Sequence, residues 1–335
     1  MDGAVNLHLG LDLGGTNVKC AVVASSAQPG TAREADPPGG GSPRVVATAS
    51  CPTGAADGEQ AVLERVAALG RATVAPFGEP ATAGLALPGH FDHQRGTGVL
   101  LPNLLGDWAG RPIAGPVGEQ LGLEITLVND VRALTLAELR LGAGRGARDL
   151  VCIALGTGVG GGVVIGGRLH LGLGHAGEIG HTTVDPEGPP CGCGSRGCLD
   201  RMAGAEAIAA AAGRPSVREA AEAARAGDAT ARAAFTRAGE YVGRVLAGAV
   251  VLLWPERVVV GGGVADAGEL LLDPLRAELR RRACVAPVDR IAVVRAELGP
   301  HAGAVGAALW SGEVTDAASS ARPRPGASSA AGAST

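Results

Sequence analysis

Two glycine-rich turns, each set between two apolar runs, constrain this chain more than any other feature. The run Leu7–Leu13 leads into Gly14-Gly15-Thr16-Asn17 and then Val18–Ala24; the run Leu150–Leu155 leads into Gly156-Thr157-Gly158-Val159-Gly160-Gly161-Gly162 and a further run to Ile165. Apolar runs of this length read as buried strands, and two strands joined by a short glycine turn make a β-hairpin. Such a turn leaves backbone N–H groups open to a phosphate, and Thr16 adds a side-chain donor. An ordinary tight turn explains one such hairpin equally well. Two of them, far apart in sequence, predict an internal duplication that holds a polyphosphate from both sides; the plain alternative is two unrelated turns. Asp12 is the odd member of its strand. A lone acid there must be paired, coordinate a cation or face a site.

Other phosphate-binding signatures are absent. There is no G-x4-GK[ST] run, and Gly14-Gly15 joins strand to strand rather than strand to helix, so the dinucleotide fingerprint fails as well. The 335 residues suffice for two domains, and 46% hydrophobic content supports a sizeable core. The 55 glycines predict many tight turns. A net charge of -4, with no basic stripe, argues against non-specific nucleic-acid binding. No leader pattern opens the sequence, and Val245–Trp254 is too short to span a bilayer. The expectation is a soluble, cytoplasmic protein with no membrane partner. Lys19 is the only lysine, so no second one is available for phosphate binding.

Along the chain, Ser25–Arg44 reads as a flexible loop, Val45–Ser50 as a strand and Gly58–Leu69 as an amphipathic helix. Thr82–Leu87 is a buried strand ending at Pro88-Gly89. Asn103 lies among apolar residues, where it caps a turn or meets a ligand hydroxyl. Ile125–Val128 is a strand, and Asn129-Asp130 follows it at the start of a helix carrying Leu134, Ala137, Glu138 and Leu141. Loops at strand ends carry active-site residues in α/β folds; the bland role for Asp130 is a helix N-cap. Helices are predicted at Ala203–Ala212, Val217–Arg225, Ala229–Leu253, Glu269–Arg282 and His301–Trp310, and strands at Arg257–Val260 and Ile291–Val294, the former running into Gly261-Gly262-Gly263. From Ser311 the composition turns to Ala, Ser, Pro and Thr and reads as a disordered tail.

Between the second hairpin and the helices lies EIGHTTVDPEGPPCGCGSRGCLD, residues 178–200. His181, Cys191, Cys193 and Cys198 in the order H-x9-C-x-C-x4-C can supply four ligands to one tetrahedral zinc ion. A disulfide reading leaves one cysteine over, and nothing suggests secretion. With four protein ligands the ion is structural, and it would fix a loop presenting Glu178, His181 and Asp200 to something polar; the alternative is a knuckle that only staples a loop. Cys20, Cys51, Cys152 and Cys284 stand singly and read as core thiols.

Taken together, the blocks LGLDLGGTNVKCAVV, ALPGHFD with LPNLLGDW, LVNDVRALTLAE, IALGTGVGGGVVIGG, GHAGEIGHTTVDPEGPPCGCGSRGCLD, VVVGGGV and LGPHAGAVGAA closely resemble the ROK family of bacterial sugar kinases and sugar-responsive repressors, and within it the glucokinases. The resemblance implies an α/β, actin-like ATPase architecture: two ribonuclease-H-like domains about a cleft. Residues 1–127 would form the small domain and 128–299 the large one with the zinc loop. A helix at 300–312 would return to the small domain, and 313–335 would be a disordered tail. By the same resemblance Asp12 would face Mg²⁺-bound phosphates of ATP. Gly14, Gly15, Thr16 and Asn17 would form the first phosphate turn, Gly156, Thr157, Gly158 and Gly160 the second, and Gly261 and Gly262 would lie against the adenosine. Gly89, Asn103, Asn129, Asp130, Glu178, His181 and Asp200 would surround the sugar, with Asp130 the base that accepts the proton of its 6-hydroxyl at an ordinary carboxylate pKa. Three positions depart from the family's usual pattern: Asp200 where Glu is general, Asn17 where Lys is frequent, and His301 where an acid or amide is usual. The implied activity is ATP:hexose 6-phosphotransfer, glucose leading fructose, N-acetylglucosamine and N-acetylmannosamine, with a homodimer or homotetramer as assembly. The rival is a repressor, whose DNA-binding segment would precede the first hairpin; here the hairpin begins at once.

Overall fold

The computed structural model describes residues 5–26, 42–285 and 287–321. Most of the loop expected at Ser25–Arg44, and the tail beyond residue 321, lie outside the described residues. The first half of the chain forms β1 (Val5–Leu13), β2 (Asn17–Ser26), β3 (Arg44–Pro52), α1 (Glu59–Val74) and β4 (Thr82–Leu87). A small hairpin of β5 (His90–Asp92) and β6 (Thr97–Leu100), then α2 (Ala114–Leu121) and β7 (Ile125–Asn129), complete it. α3 (Asp130–Leu141) leads to β8 (Leu150–Leu155), β9 (Val159–Ile165) and β10 (Arg168–His170). After a long loop come α4 (Leu199–Ala203), α5 (Ala205–Ala211), α6 (Val217–Arg225), α7 (Ala229–Leu253), β11 (Arg257–Gly261), α8 (Glu269–Arg282), β12 (Ala292–Arg295) and α9 (Ala302–Ala321).

The two five-stranded sheets repeat one topology. The first has the order β3-β2-β1-β4-β7 and the second β10-β9-β8-β11-β12. In each, three antiparallel strands carry the glycine turn between the innermost two, and two parallel strands follow. The duplication expected from the two turns thus extends to every strand of both sheets.

Strand alternation explains how each sheet is covered. On β1, Leu9, Leu11 and Leu13 are fully buried in a cluster with Val62, Val66 and Val117 of α1 and α2. Each such leucine contributes about 1.5–3 kcal/mol by leaving water. The intervening residues face the other way. A Cβ on Gly10 would lie 1.9 Å from the Ala304 carbonyl oxygen of α9, and one on Gly84 of β4 would lie 2.1 Å from that of Ala307. Side-chain-free strand positions therefore let α9 lie directly on the first sheet. A further cluster joins Ala21 and Val23 of the first sheet to Leu136 of α3, Leu150 and Val259 of the second sheet and Val305 of α9. Helices α3 and α9 thus form a layer between the two sheets. Phe235, Val242 and Leu246 of α7 anchor the core on the far side of the second sheet.

Three expectations change. The helix predicted at Ala203–Ala212 is α5, starting after Gly204, whose extended backbone (φ -67°, ψ 162°) separates it from an unanticipated short helix, α4. The last helix continues past Trp310 to Ala321, because the alanines and serines read as tail composition include Ser311, buried and donating to the Ala308 carbonyl. α2 was not anticipated, its glycines and proline obscuring an apolar face that buries Val117.

Candidate active site

The first glycine turn is closed by the Gly14 N–H donating to Asn17 O at 3.1 Å. Thr53, just past β3, fixes it from beneath: its hydroxyl donates to Gly14 O at 2.6 Å, and its N–H donates to Thr16 O at 2.9 Å. Gly15, Thr16 and Asn17 remain exposed. Asn103 adopts a left-handed backbone, φ 67°, and its carbonyl oxygen lies where a Gly15 side chain would be, 2.1 Å from an ideal Cβ. The Asn103 loop therefore folds over the turn only because Gly15 has no Cβ.

Asp12, at the end of β1, is buried, and its register partner on β2 is Lys19, whose Nζ stands 3.4 Å from Oδ2. Burial pushes the Asp12 carboxyl up; Lys19, and more weakly His301, oppose this. The ring nitrogen Nε2 of His301 is buried without a partner among the described residues.

The second turn is closed by Gly156 N–H to Gly158 O at 2.8 Å. Asp200 braces it: Oδ1 accepts from Val159 N–H at 2.7 Å and would lie 2.7 Å from a Cβ on Gly158. Asp200, expected beside the sugar, thus commits one oxygen to this turn. Gly160 lies against Val131, the residue after Asp130, with 2.6 Å between an ideal Cβ and Cγ2. At the end of β11, Gly261 pairs with Ala154 of β8 and Gly262 takes φ 81° over the Leu155 carbonyl. The glycines expected at the adenosine end therefore adjoin the second turn.

At the β7–α3 junction the N-cap is Asn129, not Asp130. Its Oδ1 accepts from Val131 N–H at 3.1 Å and Arg132 N–H at 3.2 Å, and its Nδ2 points to Gly89 O at 3.4 Å. Gly89 itself, at φ 75°, turns the chain away from β4. Because Asn129 caps the helix, the Asp130 carboxyl is free for chemistry apart from one bond from Val131 N–H at 2.8 Å. Desolvation first, then the negative charges of Asp12 and Glu178, raise its pKa to about 7. The ordinary carboxylate value expected from sequence did not account for this crowding of acids.

Glu178 reaches the site from the loop after β10. Arg132, buried on α3, holds that loop, donating to Gly174 O at 2.6 Å, Ala176 O at 3.2 Å and Glu178 Oε1 at 3.3 Å. Next on the loop, His181 Nδ1 stands 3.6 Å from Cys191 Sγ, and Cys193 Sγ stands 3.6 Å from Cys198 Sγ. One ligand atom from each of the four lies within 4.8 Å of all the others. The three cysteines are unbridged. Burial, then the neighbouring thiols, push Cys198 up to about 12, while the Ser195 N–H and then Cys191 hold Cys193 low. A dication held by these four residues would reverse the penalty on Cys198, and the S₃N donor set suits a tetrahedral site.

The structure therefore brings Asp12 and Glu178 each within range of Asp130's charge, with the first turn beside Asp12 and the second against Val131. Sequence reasoning missed Thr53 and Arg132, and noted Lys19 only as the sole lysine. A lone Arg in an apolar helical pattern was the available signal for Arg132.

Two mixed five-stranded sheets of repeated topology, each carrying a glycine turn, form an α/β fold consistent with an actin-like ATPase architecture. The ROK family pattern matches residues 8–313. The chain belongs to the ROK family. It is 32% identical over 328 residues to a glucokinase of Streptomyces coelicolor, covering 91% of this chain and 97% of that protein. It is also 32% identical over 240 residues to the DNA-binding transcriptional repressor Mlc of Escherichia coli, covering 67% of this chain and 59% of the repressor. A solved ROK glucokinase from Streptomyces griseus, in complex with glucose and AMPPNP, superposes with a TM-score of 0.74 at 32% identity over 92% of this chain and all (100%) of that one.

Proposed function

We propose that this chain is an ATP-dependent sugar kinase that transfers the γ-phosphoryl group to the 6-hydroxyl of a hexose, with glucose as the preferred substrate. The observation that carries this reading is the Asp130 carboxyl at the β7–α3 junction, left free by the Asn129 cap, with desolvation and the charges of Asp12 and Glu178 raising it to about 7. A base of that strength is matched to taking a hydroxyl proton near neutral pH. Phosphoryl transfer asks little covalent chemistry of a protein; positioning and charge neutralisation dominate. Asp130 accepts the 6-hydroxyl proton as that oxygen attacks the γ-phosphorus, and ADP leaves with the bridging oxygen's electrons. Glu178, His181 and Asn103 orient the sugar ring, and the backbone N–H groups of the two turns hold the phosphates from opposite sides. Asp12 and Lys19 hold the phosphate end of the site, where Mg²⁺ when bound supplies charge neutralisation on the phosphate oxygens. A zinc ion held by His181, Cys191, Cys193 and Cys198 is structural and keeps Glu178 and His181 in place.

A coupled assay for ADP release across glucose, fructose, mannose, N-acetylglucosamine and N-acetylmannosamine, with ATP or polyphosphate as donor, tests this. Glucose-dependent ADP release supports it. No release with any sugar, together with a sugar-sensitive gel shift on DNA, would replace it with a repressor.

A further inference from the structure

Glu178 has a second set of neighbours. His90, on β5 of the first lobe, and His175, on the loop after β10 in the second, offer ring nitrogens that lie with a Glu178 oxygen inside a 4.8 Å limit. The imidazoles meet edge to face with centroids 4.9 Å apart. Neither ring has a hydrogen-bond partner among the described residues. His90 is half-buried and His175 exposed. Arg132 takes Oε1 of Glu178 and leaves Oε2 without a partner among the described residues.

We propose that His90, His175 and Glu178 form a second metal site, distinct from the Cys/His loop, that takes a borderline divalent transition-metal ion such as Zn²⁺ and excludes sugar while it is filled. Two imidazoles and a carboxylate are the donor set of an open zinc site, in which remaining positions go to water. Imidazole donors favour zinc and its neighbours over Mg²⁺ or Ca²⁺. Zinc bonds of about 2.1 Å place tetrahedral ligand atoms about 3.4 Å apart. The three donors therefore need only a modest inward shift, which the exposed His175 can make. Arg132 is the positive group facing the site, paired with Glu178, while burial holds the nearby His93 below its ordinary value; the site therefore binds more weakly than the three-thiolate loop.

An ion here ties a first-lobe histidine to the second-lobe loop and occupies Glu178. The binding itself is independent of the proposed function; the competition with sugar rests on it.

Zinc stoichiometry of the full-length protein, by equilibrium dialysis against Zn²⁺ alone, tests the site. Wild type should take up two ions per chain, Cys193→Ser one, His90→Ala and His175→Ala one each, and Cys193→Ser with His175→Ala none. Circular dichroism checks that each variant is folded. Calorimetric glucose titration without nucleotide should then show affinity falling in proportion to free Zn²⁺ in wild type, restored when free Zn²⁺ is buffered low enough to empty this weaker site alone, and insensitive to zinc over that range in His175→Ala. One ion per chain in wild type at excess Zn²⁺, or an unchanged count in the His90→Ala, His175→Ala double variant, overturns the site. Two ions with zinc-independent glucose affinity overturns the competition. Absence of glucose binding altogether defeats the sugar-kinase reading while leaving the ion count to decide the site.

Discussion

The Arg132 guanidinium on α3 and the Glu178 carboxylate on the loop after β10 are joined at 3.3 Å, two residues after the proposed base and three before His181, the first of the proposed metal ligands. With its bonds to the Gly174 and Ala176 carbonyls, Arg132 makes the Glu178 loop an extension of the helix that carries Asp130.

Removing that clamp should loosen sugar binding more than chemistry. Arg132→Met leaves Glu178 unpaired and two carbonyls without their donor, and hydrogen bonds to charged groups contribute about 1.5–3 kcal/mol. The sugar KM should rise about 10- to 100-fold with a smaller change in kcat. Arg132→Lys should restore little, since an ammonium cannot span three acceptors in a plane. Steady-state kinetics in both variants measure this, and an unchanged sugar KM counts against the clamp.

The Asp130 pKa of about 7 fixes the pH profile. The base is needed ionised, so kcat/KM for sugar should fall about tenfold per pH unit below 7 and level off above it. The same shift has a stability sign. The folded carboxyl is raised above its ordinary value of 3.8, so between the two values the folded state holds a proton the unfolded state releases. Asp130 therefore has no effect on stability below pH 4, destabilises progressively as pH rises from 4 to 7, and does so in full above 7. Asp130→Asn should melt roughly 2–5 °C higher than wild type at pH 8 and nearly level with it at pH 4, by thermal-shift measurement.

Asp200 separates two roles by kinetics. Its bond to Val159 N–H braces the second phosphate turn. Asp200→Ala should raise the KM for ATP about 5- to 20-fold, consistent with one lost charge-assisted hydrogen bond, and change the sugar KM less. A larger effect on sugar than on ATP would return Asp200 to the sugar side.

In the metal loop, Cys193→Ser should lower zinc at the S₃N site and weaken sugar affinity, because His181 and Glu178 lie on the same loop. Elemental analysis and glucose calorimetry check both. Full zinc content with unchanged affinity removes the loop-fixing role.

The sequence made the repeated sheets and the acids legible, and hid the contacts that bind them. Leu9, Leu11 and Leu13 alternate with Gly10 and Asp12, so a strand with one face for core and one for a close neighbour could be read from β1 alone. The glycine turns were visible because glycine lets the chain turn tightly and leaves backbone N–H groups uncovered by side chains. Arg132, Thr53 and Lys19 act on partners distant in sequence or across a register, and no local pattern announces such bonds. The bland alternative for Asp130, a helix N-cap, falls to Asn129 instead; both are good caps, and only the extended backbone at Asn129, φ -68° and ψ 142°, decides between them. α9 exceeded its predicted end because alanine composition suits a buried helix and a disordered tail equally.

The central claim, that Asp130 takes the proton of the sugar hydroxyl, is tested most directly by the turnover of Asp130→Asn with ATP and glucose. The account predicts a loss of about 10²–10⁴-fold in kcat, with calorimetric glucose affinity close to wild type. Wild-type turnover in that variant would contradict it.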